Sequence, residues 1–406
     1  MAEIQANGGS ARTGARLTLA LLGYFVLVTA VITLSPFDFS ARRFRVSLAL
    51  VPADIVANIA LFLPLGFLGR GLTNGSTRGG RRVVWIAAVC SLLIETSQLF
   101  LRRRYAGPVD VFSNTAGAWL GVLARDWIER WALWHPRLVG RIGLDVPLVG
   151  LLYLLAPQLW LSSVGLIEDP RRSVTTLLLG CAGSIVLVAL HRHRWQSGVR
   201  VATHVVPPLA VLWFMTGALP AATASPGAFG LLALTVAVLT AWLLRRAESS
   251  NEGRFEIATL RRFVPVFALY LVVTALWPPF RSPVGWHGAL LFENRLNGAA
   301  VVDLLLLLEQ VGGFTLLGYA VAEWRGRREL SLAADLPLVV GAAAACAIGL
   351  EAVQGLLSGS GASLLRAVLS TSGTAYGVAV YHLARQHVRA LRAEDASAPA
   401  SATEAA

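Results

Sequence analysis

Apolar residues run through this chain in long stretches, each broken by a short polar segment that usually carries arginine. Crossing the hydrocarbon of a bilayer takes about 20 consecutive apolar residues in a helix. On that measure the pattern predicts twelve spans, near 17–34, 51–69, 83–101, 108–124, 145–163, 174–190, 201–219, 227–244, 262–278, 300–322, 335–357 and 364–384. The span at 201–219 is interrupted by Pro207 and Pro208, which membrane helices tolerate when neighbours re-satisfy the backbone. Backbone amides cannot go unpaired at that depth, and short alternating segments of the barrel type are absent. The expected fold is an all-α, polytopic transmembrane helical bundle.

Composition agrees with this. Of 406 residues, 55% are hydrophobic and 14% charged, against about 25% charged in soluble domains. A net charge of +12 looks at first like a nucleic-acid signal. All 35 basic residues are Arg, however, and they cluster between apolar runs, as a topology signal does. Nucleic acid is therefore not an expected partner. With the N-terminus in the cytoplasm, 24 Arg fall inside and 11 outside, which also places the C-terminus inside. Residues 1–16 and 386–406 are polar or Ala-rich and predict disorder. Cys90, Cys181 and Cys346 lie in apolar runs without metal-like spacing and are expected to be buried small hydrophobes.

The spans repeat. Span 1 leaves through Leu34-Ser35-Pro36-Phe37 and span 9 through Trp277-Pro278-Pro279-Phe280. Asn58 and Gly66 in span 2 match Gln310 and Gly318 in span 10, 252 residues later. Glu95, Gln98, Gly117 and Gly121 match Glu351, Gln354, Gly373 and Gly377, 256 residues later. Both copies start inside, so the repeats are parallel. The counterpart of span 1 also argues that 17–34 is a membrane helix rather than a signal peptide. The expected organisation is a first four-helix unit at 17–125, a middle four-helix region at 145–244 and a second unit at 262–385. The segment 245–262, with Glu248, Glu252 and Glu256, reads as a cytoplasmic linker.

Polar residues in the first copy fall in pairs on shared helix faces: Asp54 with Asn58, Glu95 with Gln98, and Asp110 with Asn114. At about 1.5 Å rise per residue, Asn58 and Glu95 both lie roughly 10 Å below the outer ends of their spans. Asp110 and Asn114 occupy the first turns of span 4. Three helices thus bring polar groups to one outer level. A carboxylate inside a membrane costs about 2.5–3.5 kcal/mol on insertion scales, which marks Glu95 and Asp110 as candidates for function, catalysis included. For Asn58, Gln98 and Asn114, interhelical hydrogen bonding is an equal reading, and for Gly117 and Gly121 close packing is the expected role.

Six of the outside arginines flank the same mouth: Arg42, Arg43 and Arg45 before span 2, and Arg102, Arg103 and Arg104 before span 4. Guanidinium groups suit bidentate recognition of phosphate or carboxylate, and snorkelling to headgroups is the competing reading. His191-Arg192-His193-Arg194 reads as a basic membrane-proximal flank rather than a metal site. Asp303 and Glu309 miss the position of Asn58, with Arg366 as a candidate partner. No phosphate-cradling loop, nucleophile elbow or zinc signature is present, so neither a cofactor nor a metal is expected.

Taken as an ordered set, Ser35-Pro36-Phe37, Asn58-x-x-x-Phe62-x-Pro64-x-Gly66, Glu95-x-x-Gln98 and Asp110-x-x-x-Asn114-x-x-Gly117 resembles the VanZ-like family. The resemblance covers about residues 17–125, and residues 262–385 resemble the family in degenerate form. There Gln310, Leu316, Arg366 and Ser370 stand for Asn58, Pro64, Asp110 and Asn114, while Glu351 and Gln354 persist. Arg366 is placed to pair with Glu351. The family takes its name from a determinant of glycopeptide resistance that raises tolerance of teicoplanin. The resemblance implies a multi-pass protein of the bacterial inner (plasma) membrane, concerned with the cell envelope and in contact with membrane lipids. Two functions remain open. One is a non-enzymatic factor binding an anionic, lipid-linked cell-wall intermediate through Asn58, Glu95, Gln98, Asp110, Asn114 and Arg102 to Arg104. The other is a membrane enzyme or proton-coupled transporter using Glu95 and Asp110 as a carboxylate pair.

Overall fold

The computed structural model describes residues 2–34, 39, 46–47, 49–73, 76–101, 105–134, 146–196, 203–246, 255–276, 288–289, 300–326, 330–357 and 362–397. Among them are thirteen α-helices. The first four are α1 (Ala2–Leu34), α2 (Pro52–Gly71), α3 (Thr77–Gln98) and α4 (Pro108–Trp134). Then come α5 (Val146–Glu168), α6 (Ser173–Gln196), α7 (Val206–Gly217), α8 (Leu219–Ala224) and α9 (Pro226–Arg246). The last four are α10 (Phe255–Ala275), α11 (Ala300–Arg325), α12 (Leu332–Leu357) and α13 (Leu364–Ser397). Two-residue strands β1 (Gly288–Ala289) and β2 (Ala362–Ser363) pair in parallel.

Eight helices, among the described residues, are long and apolar enough to cross a membrane. They correspond to α1, α2, α5, α6, α9, α10, α11 and α12. Helices α3, α4 and α13 have the length but carry more charged and polar residues, while α7 has only 12 residues. The segment expected as one span at 201–219 is instead a 3-10 turn at Thr203–Val205 followed by two short helices that break at Ala218. Pro207 stands in the first turn of α7 and Pro220 in that of α8, where the missing N–H is harmless.

The ends also depart from expectation. Helix α1 begins at Ala2 and α13 continues to Ser397, so most of the polar residues read as disordered are helical. Ala, Arg and Glu are strong helix formers, and each end extends a helix already nucleated by an apolar span. Thr13 Oγ1 lies 3.5 Å from His387 Nδ1, within one compact unit. Cys90 and Cys346 are exposed on the helix surfaces rather than buried, and Cys181 is half-buried.

The chain divides into two compact units, residues 1–147 with 382–406, and residues 148–381. The latter unit takes in α5 to α12 and α13 as far as Tyr381. In the first unit the core is the seam between α2 and α4. Phe62 and Ala118 are buried there with Ala87 of α3, flanked by Leu61, Leu65 and Ile94. A Cβ on Gly66 would overlap the Ala118 carbonyl oxygen, one on Gly117 the Ile59 oxygen, and one on Gly121 the Leu63 oxygen. Glycine is required at all three positions by the approach of the two backbones.

The same approaches recur in the second unit. Gly318 faces the Thr374 oxygen, Gly373 the Val311 oxygen and Gly377 the Thr315 oxygen. Each α2-side residue is displaced by 252 positions and each α4-side residue by 256, the two offsets present in the sequence.

Adding a methyl group at Gly66 is expected to destabilise the protein by roughly 1–3 kcal/mol, because a packed seam must open. Gly23→Ala, where an added Cβ meets nothing within 4 Å, is expected to keep or slightly raise stability, because Ala is the better helix former. Thermal melting of the two purified variants in the same detergent checks the contrast.

Candidate functional site

The polar residues of the first unit meet where α2 and α4 begin and α3 ends. Helix α2 starts on Pro52 and α4 on Pro108, each in a first turn whose N–H groups have no helical partner. The segments that lead into them touch: Phe39 bridges Leu101, Val46 bridges Ala106, and the Ser47 N–H donates to the Ala106 carbonyl at 2.9 Å. Leu101 and Ala106 are buried beneath these bridges.

Glu95 sits under this loop, 6% exposed. Its Oε2 accepts the Gly107 N–H at 2.8 Å, and the Gly107 carbonyl in turn accepts the Asp110 N–H at 3.0 Å. Asp110 is half-buried, and its Oδ1 accepts from Asn58 Nδ2 at 2.7 Å. The two candidate carboxylates therefore flank one residue, Gly107. A Cβ there would lie 3.4 Å from Asp110 Oδ2 and 3.2 Å from the Ser47 oxygen. One turn further along α4, Asn114 Nδ2 donates to Ser91 Oγ at 2.9 Å, with Asn114 only 2% exposed. Its Oδ1 is buried without a hydrogen-bond partner. Gln98 turns the other way and donates to the Thr33 carbonyl of α1 at 3.0 Å.

The predicted set is thus brought to one end of the unit, as several short bonds rather than one cluster. Asn58 joins Asp110, Glu95 holds the loop, Asn114 joins Ser91, and Gln98 ties α1 to α3. Asp54 is exposed. Arg42, Arg43, Arg45, Arg102, Arg103 and Arg104 lie outside the described residues, as does Ser35-Pro36-Phe37. Sequence reasoning missed Ser91, although its place one turn before Glu95 could have drawn attention to it. It also missed Arg70 at the far end of α2. That guanidinium is 5% exposed and donates to Asp126 Oδ1 at 2.6 Å, Thr73 Oγ1 at 2.9 Å and the Ser76 carbonyl at 2.8 Å. Counted as a topology signal, Arg70 concealed a buried tie between α2 and α4. No group of three His, Cys, Asp or Glu gathers as a metal would need, among the described residues.

The second unit repeats the loop bond and changes the rest. Glu351 Oε2 accepts the Ser363 N–H at 2.8 Å, matching the Glu95–Gly107 bond at an offset of 256. Arg366, standing where Asp110 stands, pairs with Glu351 at 2.8 Å, and Gln310 Nε2 reaches Glu351 Oε1 at 3.3 Å. Glu309 pairs with Arg172 of the middle region and not with Arg366. The side chain of Asp303 is outside the described set.

Glu95→Ala leaves the buried Gly107 N–H without its acceptor, an expected loss of about 1–3 kcal/mol. Glu95→Gln keeps a carbonyl oxygen there and is expected to lose less. Melting temperatures of the two variants, compared with wild type, check the order.

No curated protein and no solved structure matches the chain. Residues 9–129 match the family described as VanZ/LLP1, a segment that contains most of α1, all of α2 and α3, most of α4 and the first unit's polar set just described. By that match the N-terminal segment is similar to the VanZ/LLP1 family, and helices long and apolar enough to cross a membrane lie within and beyond it.

Proposed function

We propose that this VanZ-like membrane protein is a non-enzymatic factor of the cell envelope. Its first unit binds an anionic, lipid-linked ligand of the cell-wall-intermediate type at the end where α2 and α4 begin. In this reading that end faces outward from the bacterial plasma membrane, as the arginine distribution predicts. Asp110 and Asn58 present a half-buried polar rim, Asn114 offers an unpartnered acceptor below it, and Arg102 to Arg104 hold the anionic head. A contribution to glycopeptide tolerance follows if the held species is the antibiotic's target or its precursor.

One observation carries the preference for binding over carboxylate chemistry. Glu95 accepts a loop N–H at 2.8 Å, and Glu351 accepts the equivalent N–H at 2.8 Å in the half where Asp110 and Asn114 are replaced. A glutamate that keeps the same backbone bond when Asp110 and Asn114 give way to Arg366 and Ser370 is acting as a loop clamp. The second half is read as a degenerate copy whose role is structural or regulatory. The alternative, an enzyme or proton-coupled transporter, draws on the two carboxylates flanking Gly107. It demands that Glu95→Gln abolish activity in a folded protein.

Gentle extraction followed by mass spectrometry of copurified lipid tests the proposal. The expected result is an anionic lipid-linked species bound to the wild type, lost at high salt and lost when Arg102, Arg103 and Arg104 are replaced by Gln. Retention of the same species by that triple variant, at wild-type abundance, would remove the arginines from the site and sink this reading.

A further inference from the structure

The second unit contains a polar network that belongs to neither repeat alone. Glu309 of α11 is 0% exposed. Its Oε2 pairs with Arg172, which is 3% exposed and comes from the 3-10 turn Pro170–Arg172 between α5 and α6. Its Oε1 accepts from the Tyr270 hydroxyl of α10 at 3.3 Å. Gln158 of α5, 0% exposed, donates to the Tyr270 oxygen and to the Glu309 backbone carbonyl, both at 2.5 Å. Two turns along α5, Gly165 makes room for Arg172: a Cβ there would coincide with the guanidinium. Beyond lies a run of hydroxyls, with Ser162 Oγ 2.7 Å from Thr175 Oγ1, which donates to the Arg172 carbonyl at 2.8 Å.

Two atoms of this network stay unsatisfied. Arg172 Nε is a buried donor without an acceptor, and Gln158 Oε1 is a buried acceptor without a donor. Both belong to side chains that already touch Glu309. Leaving such atoms orphaned is costly, and the usual resolution in a polar interior is a molecule that bonds to them. The charges of Arg172 and Glu309 cancel, so a charged guest would leave an unbalanced charge in a low-dielectric interior. The guest must both accept and donate hydrogen bonds and be small.

We propose that the second unit holds an ordered-water site bounded by Arg172, Glu309, Gln158 and Tyr270, at which water accepts from Arg172 Nε and donates to Gln158 Oε1. The site gives the middle helices a role. They supply the cation and the amide that complete a polar layer whose acid lies on α11.

Radiolytic footprinting of the whole protein in detergent tests this, because hydroxyl radicals formed from a bound water oxidise the nearest aromatic ring. Tyr270 and Phe214 are both 0% exposed in the same unit. Tyr270 is expected to be oxidised about tenfold faster than Phe214, since the proposed water lies beside Tyr270. Gln158→Leu and Arg172→Met are each expected to reduce Tyr270 oxidation towards the Phe214 rate. Tyr270 as inert as Phe214 in the wild type overturns the proposal, whether or not either variant folds. Tyr270 oxidation unchanged in a folded Gln158→Leu protein also overturns it, since the water would then not depend on this network.

Discussion

The first unit depends on the approach of two backbones. Hydrocarbon does not push apolar helices together as water does, so membrane helices associate through close packing and hydrogen bonds. Gly66, Gly117 and Gly121 let α2 and α4 touch along their main chains, with carbonyl oxygens lying where side chains would otherwise stand. That contact fixes the spacing at which Asn58 can reach Asp110 at one end of the seam and Arg70 can reach Asp126 at the other. The polar bonds are therefore consequences of the glycine seam as much as causes of it.

Polar groups between these helices are engaged with one another or with the backbone. Glu95 ties down the loop before α4, Gln98 ties α3 to α1, and Asn114 ties α4 to α3. Each bond replaces a group that would otherwise lie unpaired in an apolar surround, where the penalty is large. Against that background, the half-buried Asp110–Asn58 pair and the unpartnered Asn114 oxygen differ from the other polar groups.

In the second unit the electrostatic arrangement changes while the packing stays. The three glycine contacts and the glutamate-to-loop bond are present, but Arg366 replaces an acid and neutralises Glu351. A second acid, Glu309, takes its counter-charge from the connecting turn of the middle helices. The network around Glu309 is deeply buried, with Glu309 and Gln158 at 0% exposure and Arg172 at 3%.

Much was legible in the linear pattern. Apolar run lengths gave the helical membrane class, and the offsets of 252 and 256 matched the glycines of one copy to those of the other. The order Asn58, Glu95, Asp110, Asn114 marked the end of the unit where the polar groups gather, because helical spacing and depth follow from residue number. Apart from the pairing of Arg366 with Glu351, which atoms bond was not legible. Bonds such as Glu95 to the Gly107 amide, Gln98 to the Thr33 carbonyl, and Arg172 to Glu309 across 137 residues join elements whose adjacency only packing decides. Sequence determines what a residue can donate or accept and on which helix face it stands; tertiary structure decides which partner fills that valence, because a hydrogen bond requires approach within about 3 Å.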